Sequence, residues 1–218
     1  MFLSVRTYEV QGELRTSQSK VFHNMYANYT FDVSLAGEYN TTFTYSRVSG
    51  DIYNVTWDFP GPTFSTWLES KQTRIISNAS GTWAFNSGTH TPIWQFTNLS
   101  LGNFTLIGVD GEPDHLFEVV GEYNVTLTGI GTYETWVLQD TVFAGSIAFY
   151  EKTTGLLMAG LFYFSGGTED YTLILTSTNM FSHYESESKE IPGYDLLLLI
   201  PAITIISLMI ILRKRKRL

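Results

Sequence analysis

The sequence contains no cysteine. This absence excludes disulfide bonds, thiol catalysis, and zinc or iron–sulfur sites with cysteine ligands. Charged residues make up only 16% of the 218, and acidic side chains outnumber basic ones, so the net charge is −8. Because nucleic-acid binding needs a basic surface, this balance argues against a nucleic-acid partner. Aromatic residues are plentiful at 15%, and they can supply a core that needs no disulfides.

Long apolar runs are also rare, and the clearest is the 17-residue segment Leu196–Leu212. At about 1.5 Å per residue it gives roughly 25 Å of helix, the short end of what spans a bilayer. With Tyr194 included, residues 194–212 are predicted to form one transmembrane helix. A buried core helix is the alternative, which the charged residues after the segment disfavour.

Five consecutive basic residues follow the span: Arg213, Lys214, Arg215, Lys216 and Arg217. Positive charge next to a span is retained in the cytoplasm, so residues 213–218 are predicted to be a basic cytoplasmic tail. Removing these five cations from the net charge of −8 leaves −13, which suits a solvated outer domain. We therefore expect a single-pass cell-membrane protein with its N-terminal domain outside. Because Arg6 interrupts the apolar start, we also expect the true start to lie upstream, or the chain to be a fragment.

Asn-x-Ser/Thr sequons support this topology. They are the acceptor pattern for N-glycosylation, which modifies exposed sites of exported proteins. Seven occur, all before the span: Asn28, Asn40, Asn54, Asn78, Asn98, Asn103 and Asn124.

Five sequons have apolar residues beside the hydroxyl residue, as in Asn28-Tyr-Thr-Phe and Asn98-Leu-Ser-Leu. In a strand, alternate side chains lie on opposite faces. We therefore expect antiparallel strands whose Asn and hydroxyl residues face water while Tyr29, Trp57 and Val125, for example, face the core.

Apolar alternation and Gly or Pro punctuation predict a mainly β domain, a curved antiparallel sheet arranged as a half-barrel or sandwich. The best hairpin turns at residues 152–155, and one short helix is expected over Phe64–Lys71. The predicted organisation is an extracellular β domain over 1–181, a polar stalk over 182–193, the span and the tail. The predicted strands are Tyr26–Leu35, Tyr39–Ser46, Ile52–Phe59, Thr73–Ser77, Thr82–Phe85, Asn103–Val109, Leu116–Val120, Tyr123–Thr128, Gly131–Gln139, Gly145–Glu151, Leu156–Ser165 and Asp170–Thr178.

Three segments, 131–138, 145–158 and 171–179, resemble uncharacterised surface proteins of archaea, Asgard lineages especially. The ectodomain of those proteins looks like the curved half-barrel of lipoprotein-carrier proteins, and the likeness covers about residues 70–180. The resemblance implies the half-barrel fold and a lipid or hydrophobic ligand as a candidate partner. The segment Pro192-Gly193-Tyr194 before the span resembles archaeal C-terminal sorting signals, in which the span can be removed and replaced by a lipid. Those signals often have Phe where this chain has Tyr194.

Residues 110–115 form the densest polar cluster, in which Asp110, Glu112 and Asp114 could offer oxygens to Ca²⁺. Their spacing does not match an EF-hand loop, so an ordinary acidic turn is the favoured interpretation. The four histidines have no metal-ligand spacing, and no nucleophile-elbow or phosphate-loop motif is present. We therefore predict neither a cofactor nor an enzyme.

Five tryptophans have two interpretations: they pack within the domain, or they line an apolar cavity. They are Trp57, Trp67, Trp83, Trp94 and Trp136. The sequence thus favours a membrane-anchored surface glycoprotein with a non-catalytic structural, adhesion or binding role, with lipid or other surface proteins as candidate partners. The alternative is a lipid-binding carrier domain of the half-barrel type.

Overall fold

A computed structural model of the chain describes residues 20–33, 37–60, 64–81, 85–109, 113–143, 145–163 and 170–189. In this part the protein is mainly β, as predicted, with one large antiparallel sheet and one short helix. The chain divides into two compact units, Met1–Met180 and Phe181–Leu218, and the strands belong to the first.

The described residues form eleven strands in one open sheet. The strands are β1 Met25–Val33, β2 Gly37–Ser49, β3 Ile52–Asp58, β4 Phe64–Ser70, β5 Ile76–Gly81, β6 Phe104–Ile107, β7 His115–Leu127, β8 Gly131–Asp140, β9 Ile147–Glu151, β10 Leu157–Tyr163 and β11 Asp170–Thr178. Since these strands share a single sheet, they do not form the two-sheet sandwich that was the other expectation.

Strand order is β5-β4-β3-β2-β1-β11-β10-β9-β8-β7-β6, and every neighbouring pair is antiparallel. Two meanders, β1 to β5 and β6 to β11, therefore meet where β1 pairs with β11 in the middle of the sheet. β5 and β6 are the edge strands. The crossing segment, residues 82–103, connects these two edge strands in the sequence.

The strand alternation predicted from the sequons is confirmed in the central strands. In β1 the side chains of Met25, Ala27, Tyr29, Phe31 and Val33 are buried, while the residues between them are exposed or half-buried. β3 alternates in the same way. One face of the sheet is apolar and the other is polar, as expected for an antiparallel sheet with one face to water.

The helix predicted over Phe64–Lys71 is wrong, because Phe64–Ser70 is strand β4. Ser65, Trp67 and Glu69 are buried and alternate with exposed or half-buried neighbours. Phe64, Trp67 and Leu68 also have the spacing of one helical turn, so a run of seven residues does not distinguish the two periods. Pairing with β3 and β5 on both sides decides in favour of the strand.

Four further strand predictions differ from the structure or fall partly outside the described residues. The predicted strands Leu116–Val120 and Tyr123–Thr128 are one continuous strand, β7, whose register shifts at a β-bulge between Val119 and Gly121. The strand predicted over Thr73–Ser77 lies three residues later, as β5. Residues 82–84 of the predicted strand Thr82–Phe85 lie outside the described residues, and Phe85 is not in a strand.

The first part of the crossing segment, residues 85–95, packs on the apolar face of the sheet. Phe85, Ile93 and Trp94 are almost completely buried. Phe85 stacks on Trp57 of β3 with ring centroids 5.4 Å apart, and Phe43 of β2 stacks on the same indole at 4.9 Å. The crossing segment therefore adds a second layer of aromatic side chains to the core.

Residues 88–90 of the crossing segment join the two edge strands. Ile76 N of β5 donates to Thr89 O at 2.8 Å, and Gly88 N donates to Ile76 O at 2.7 Å. On the other side, Gly108 N, one residue after β6, donates to His90 O at 2.8 Å. The start of β5 and the end of β6 are thus held close to the same three residues.

The predicted hairpin with its turn at residues 152–155 is confirmed as the β9–β10 connection. Gly155 has φ +76, a conformation that residues with a side chain rarely adopt. A Cβ at this position would also lie 2.0 Å from Gln95 O of the crossing segment. Glycine is required here both for the turn and for the close approach of a second backbone.

Residues 180–189, part of which was predicted as a polar stalk without helical period, form the helix α1 Met180–Lys189. Thr178 Oγ1 accepts from Met180 N at 3.0 Å, so a hydroxyl helps to start the helix. A short polar helix needs no apolar stripe, which is why periodicity did not reveal it. The described part of the chain contains no helix that is both long and apolar enough to cross a membrane. The predicted span, residues 194–212, lies outside the described residues.

Candidate functional site

All seven sequon asparagines lie in the described part of the chain, and none is buried. Asn40, Asn78, Asn98, Asn103 and Asn124 are exposed, while Asn28 and Asn54 are half-buried. The polar outer surface of the sheet and its connecting turns therefore carry every candidate acceptor.

Two sequons lie side by side on β1 and β2. Asn28 pairs with Thr42, and Thr30 pairs with Asn40, so each asparagine is opposite the hydroxyl residue of the other sequon. The Asn28 side chain is also used by the fold. Its Oδ1 accepts from Thr42 Oγ1 at 2.7 Å and its Nδ2 donates to Ser177 Oγ of β11 at 2.7 Å. Asn28 thus joins three strands and differs from the exposed sequon residues.

Asn78 and Asn103 lie at the two edges of the sheet. Asn78 is in the edge strand β5, with φ +52, at an irregularity where Asn78 and Ala79 together oppose Trp67. Asn103 directly precedes the other edge strand, β6. Its Oδ1 accepts from Ser100 N at 3.0 Å and from Ser100 Oγ at 2.9 Å, so a tight turn fixes its position.

The strand pattern expected around the Asn98 and Asn103 sequons is wrong in part. Asn98, Leu99 and Ser100 are not in a strand, and Leu101 and Phe104 are 61% and 50% exposed. Thr105, expected to face water, donates from Oγ1 to Gln95 Oε1 at 3.0 Å. A short edge strand at the end of a turn reverses the orientation that simple alternation predicts.

A cluster of buried polar side chains, the polar centre, lies beneath the crossing segment. Its carboxylate is Glu69 of β4, which is 2% exposed. Trp67 Nε1 donates to Glu69 Oε2 at 3.1 Å, and Trp94 Nε1 donates to Oε1. Burial raises the pKa of Glu69 to about 7, although bonds from Trp67, Trp94 and Thr91 and the charge of Arg74 oppose the rise.

Arg74 is the cation of the polar centre, and it is 1% exposed. Its Nη1 donates to Thr91 O and Trp94 O, both at 3.1 Å. Its Nη2 donates to Thr105 Oγ1 and Leu106 O of β6. Burial lowers the pKa of Arg74 to about 10, so the guanidinium remains charged at neutral pH.

Because Arg74 precedes β5 and bonds to β6, a single side chain connects both edges of the sheet to the crossing segment. Its four bonds end on protein acceptors, and the Glu69 carboxylate accepts from two indoles. These contacts stabilise the packing of the crossing segment on the sheet, while Arg74 Nε is buried without a hydrogen-bond partner among the described residues. The sequence did not single out either residue, although Glu69 continues the inward alternation of Ser65 and Trp67.

Two histidine–aspartate pairs lie near the same end of β6 and β7. His90 Nδ1 is 2.6 Å from Asp114 Oδ2, and His90 N donates to Asp114 Oδ1 at 2.7 Å. His115 Nδ1 is 2.7 Å from Asp140 Oδ2. Of the calcium candidates, Asp114 is therefore engaged by His90, while Asp110 and Glu112 lie outside the described residues. Within the described ranges, no three His, Asp or Glu side chains are placed to hold one metal ion.

Three of the five tryptophans, Trp57, Trp67 and Trp94, are buried in the core. Trp136 is half-buried, with Lys152 Nζ 4.3 Å from its ring centroid. Trp83 lies outside the described residues, as do the basic tail residues 213–217 and the candidate sorting motif 192–194.

Neither a protein-family model nor a curated protein matches this chain. The resemblance to archaeal surface proteins therefore stays a prediction.

Proposed function

We propose that this chain is a membrane-anchored cell-surface glycoprotein with a non-catalytic structural, adhesion or binding role in the cell envelope. The observation that carries the proposal is the placement of the seven sequons, none of which is buried. Asparagine is mostly exposed in folded proteins, but glycan attachment also requires exposure, and all seven sequons meet that requirement.

A non-catalytic role agrees with how the domain uses its buried polar groups. Glu69 accepts from Trp67 and Trp94, and Arg74 donates to backbone carbonyls, so both act in holding the crossing segment. Most of the hydrogen-bonding capacity of Glu69 and Arg74 is therefore used within the fold, as expected of a domain whose functional surface is its exterior.

The anchor completes the proposal. Residues 194–212 would cross the cell membrane once, residues 213–218 would remain in the cytoplasm, and the β domain would lie outside. Pro192-Gly193-Tyr194 would serve as a sorting motif if the span were exchanged for a lipid.

Expression of the full chain in a glycosylating host tests the glycoprotein directly. We expect a ladder of glycoforms that collapses to one band after glycosidase treatment, and partition of the protein with membranes. A chain truncated after residue 193, expressed behind the same added signal peptide as the full chain, is the matched control and should be released from membranes while keeping its glycans. An unchanged mobility after glycosidase treatment would contradict the glycoprotein, and an unmodified intact mass that includes residues 196–218 would contradict sorting.

The second candidate is a half-barrel carrier for a lipid or another hydrophobic ligand. Two observations support this candidate. Arg74, just before β5, donates to Thr105 and Leu106 of β6, so the two sheet edges approach each other. The inner face of the sheet is also rich in aromatic side chains. Phe85, Ile93 and Trp94 of the crossing segment already cover part of this face, which favours the first proposal. Organic extraction of the chain truncated after residue 193, followed by mass spectrometry, distinguishes the two, because a stoichiometric lipid that co-purifies without the proposed span indicates a carrier.

A further inference from the structure

The outer face of the sheet is polar on one half and apolar on the other. Residues that pair across neighbouring strands lie on the same face, so the register gives the outward positions of each strand. Over β1–β5 these positions carry mostly Asn, Thr and Ser. Thr44 of β2 is opposite Thr56 of β3, which is opposite Thr66 of β4, while Phe43 and Tyr45 beside Thr44 are buried. A face that meets water is expected to be polar in this way.

The outward positions of β8–β11 are apolar instead. Val137 of β8 is opposite Phe149 of β9, and Phe149 is opposite Ala159 of β10. Ala159 is in turn opposite Ile174 of β11. The row ends where Ile174 is opposite Thr30 of β1. The change from apolar to polar therefore coincides with the line along which the two meanders meet.

The apolar half forms one continuous surface. Ile147 is opposite Leu161 in a second row, and Tyr123 of β7 contacts Phe149 with ring centroids 6.1 Å apart. Tyr123 and Ile174 are 62% and 43% exposed, and the others are half-buried. Exposed apolar surfaces of this kind mark interaction sites. The surface, the apolar patch, comprises Tyr123, Val137, Ile147, Phe149, Leu161 and Ile174.

The apolar patch lacks basic side chains. The five strands that form it, β7–β11, contain no lysine or arginine. Glu151, an outward residue of β9, is 5% exposed and accepts from Thr153 N and Thr154 N of its own turn. Basic side chains are what attracts a protein surface to anionic lipid head groups, so a bilayer is a poor occupant. An apolar surface without cations is complementary to a second copy of itself.

The size of the surface fits a weak dimer. Five strands about 4.8 Å apart, with three outward positions that span about 20 Å along each strand, offer roughly 500 Å² on each copy. The total of about 1,000 Å² is at the low end of specific interfaces. We propose that two copies of this chain associate through the apolar patch, with one sheet face packed on the other as in β-sandwiches. The interface is isologous, so the same residues of both copies meet around a two-fold axis.

The proposed membrane anchor makes a weak contact sufficient, and in this respect the inference rests on the proposed function. Chains tethered in one membrane meet at a higher effective concentration than chains in solution. Three sequons of the proposed glycoprotein, Asn28, Asn40 and Asn54, lie at outward positions of β1–β3. Carbohydrate on these residues would cover the polar half of the outer face and leave the apolar patch free.

Single cysteines test the dimer, because the natural chain has none. Ile174→Cys lies in the apolar patch, and Val48→Cys, at a 59% exposed position of β2, is the control. Each full chain is reconstituted in phosphatidylcholine vesicles and treated with a short bis-maleimide. We expect the cross-linked dimer to be several-fold more abundant for I174C than for V48C.

A second substitution in the I174C chain shows which surface is in contact. Tyr123→Lys should abolish the cross-link, because it places a charge from each copy in an apolar interface. Phe64→Lys adds the same charge at a 58% exposed aromatic residue on the polar half and should leave the cross-link unchanged. Circular dichroism shows whether each variant has kept its sheet.

Equal cross-linking of I174C and V48C, or a cross-link that survives Y123K, overturns the inference. Quenching of a fluorophore on I174C by spin-labelled lipid, without a cross-link, overturns it in favour of the bilayer. Vesicle flotation tests the anchor separately. A chain that does not float contradicts the anchored protein, and the same cross-linking at high protein concentration in solution then decides the dimer.

Discussion

Glu69 makes the stability of this domain depend on pH in a direction opposite to that of most carboxylates. Its pKa rises from 4.5 in a solvated chain to about 7 in the fold, because burial penalises the charged form. Below pH 4.5 both states hold the proton. Between 4.5 and 7 the unfolded chain releases it while the folded chain keeps it, so the free energy of unfolding falls as pH rises.

The size of the effect follows from the shift. A difference of one pKa unit corresponds to 1.36 kcal/mol, so the shift of Glu69 amounts to about 3 kcal/mol between low and high pH. Above about pH 7 both states are ionised and this contribution stays constant. Such a change is a large part of the stability of a typical domain.

Glu69→Gln removes the titration and keeps one acceptor. The carboxamide oxygen still accepts from one indole, but its NH₂ group meets the N–H of the other, at a cost of about 1–3 kcal/mol. At pH 4.5 the variant should be less stable than wild type. By pH 8.5 wild type has lost its Glu69 contribution, and the two stabilities should converge or cross.

Urea denaturation of the full chain at several pH values, followed by fluorescence of the buried tryptophans, measures this. The control is Glu38→Gln, a change at an exposed position of β2, which should leave the pH profile of wild type intact. Parallel pH profiles for wild type and Glu69→Gln would refute the buried, proton-holding carboxylate.

Three other substitutions probe the fold. Arg74→Met should cost about 3–5 kcal/mol of unfolding free energy by urea denaturation, because it leaves buried carbonyls without a donor; a loss below about 1 kcal/mol would contradict this. Gly155→Ala should cost about 1–3 kcal/mol more than Gly129→Ala in thermal unfolding, since both have similar φ but only Gly155 meets a backbone oxygen; equal costs would rule out that contact. In protein from a non-glycosylating host, Asn28→Ala should cost about 1–2 kcal/mol and Asn124→Ala almost nothing, because only Asn28 bridges strands; equal effects would count against the bridge.

Much of the sheet was predictable because alternation is a local property. β11 was placed at its observed bounds, and the β9–β10 hairpin at its observed turn. The helix predicted over Phe64–Lys71 shows the limit of a local pattern. Seven residues can fit both the helical and the strand period, and it is pairing with β3 and β5 that makes this segment a strand.

The polar centre could not be predicted for a different reason. Glu69 and Arg74 look like ordinary charged residues in the sequence, and their burial depends on a segment that returns across the sheet about 20 residues later. Likewise Thr105 faces inward because Arg74 and Gln95 offer it partners, which no neighbouring residue in the sequence reveals.

The pairing of β1 with β11 has a consequence for how the chain is made. Ala27 lies opposite Thr178, so the middle of the sheet joins residues about 150 positions apart. Contacts of such long sequence separation form slowly, because a large loop must close before they are gained. Each meander can assemble as it emerges from the ribosome, but β1 cannot pair with β11 until almost the entire domain has been synthesised.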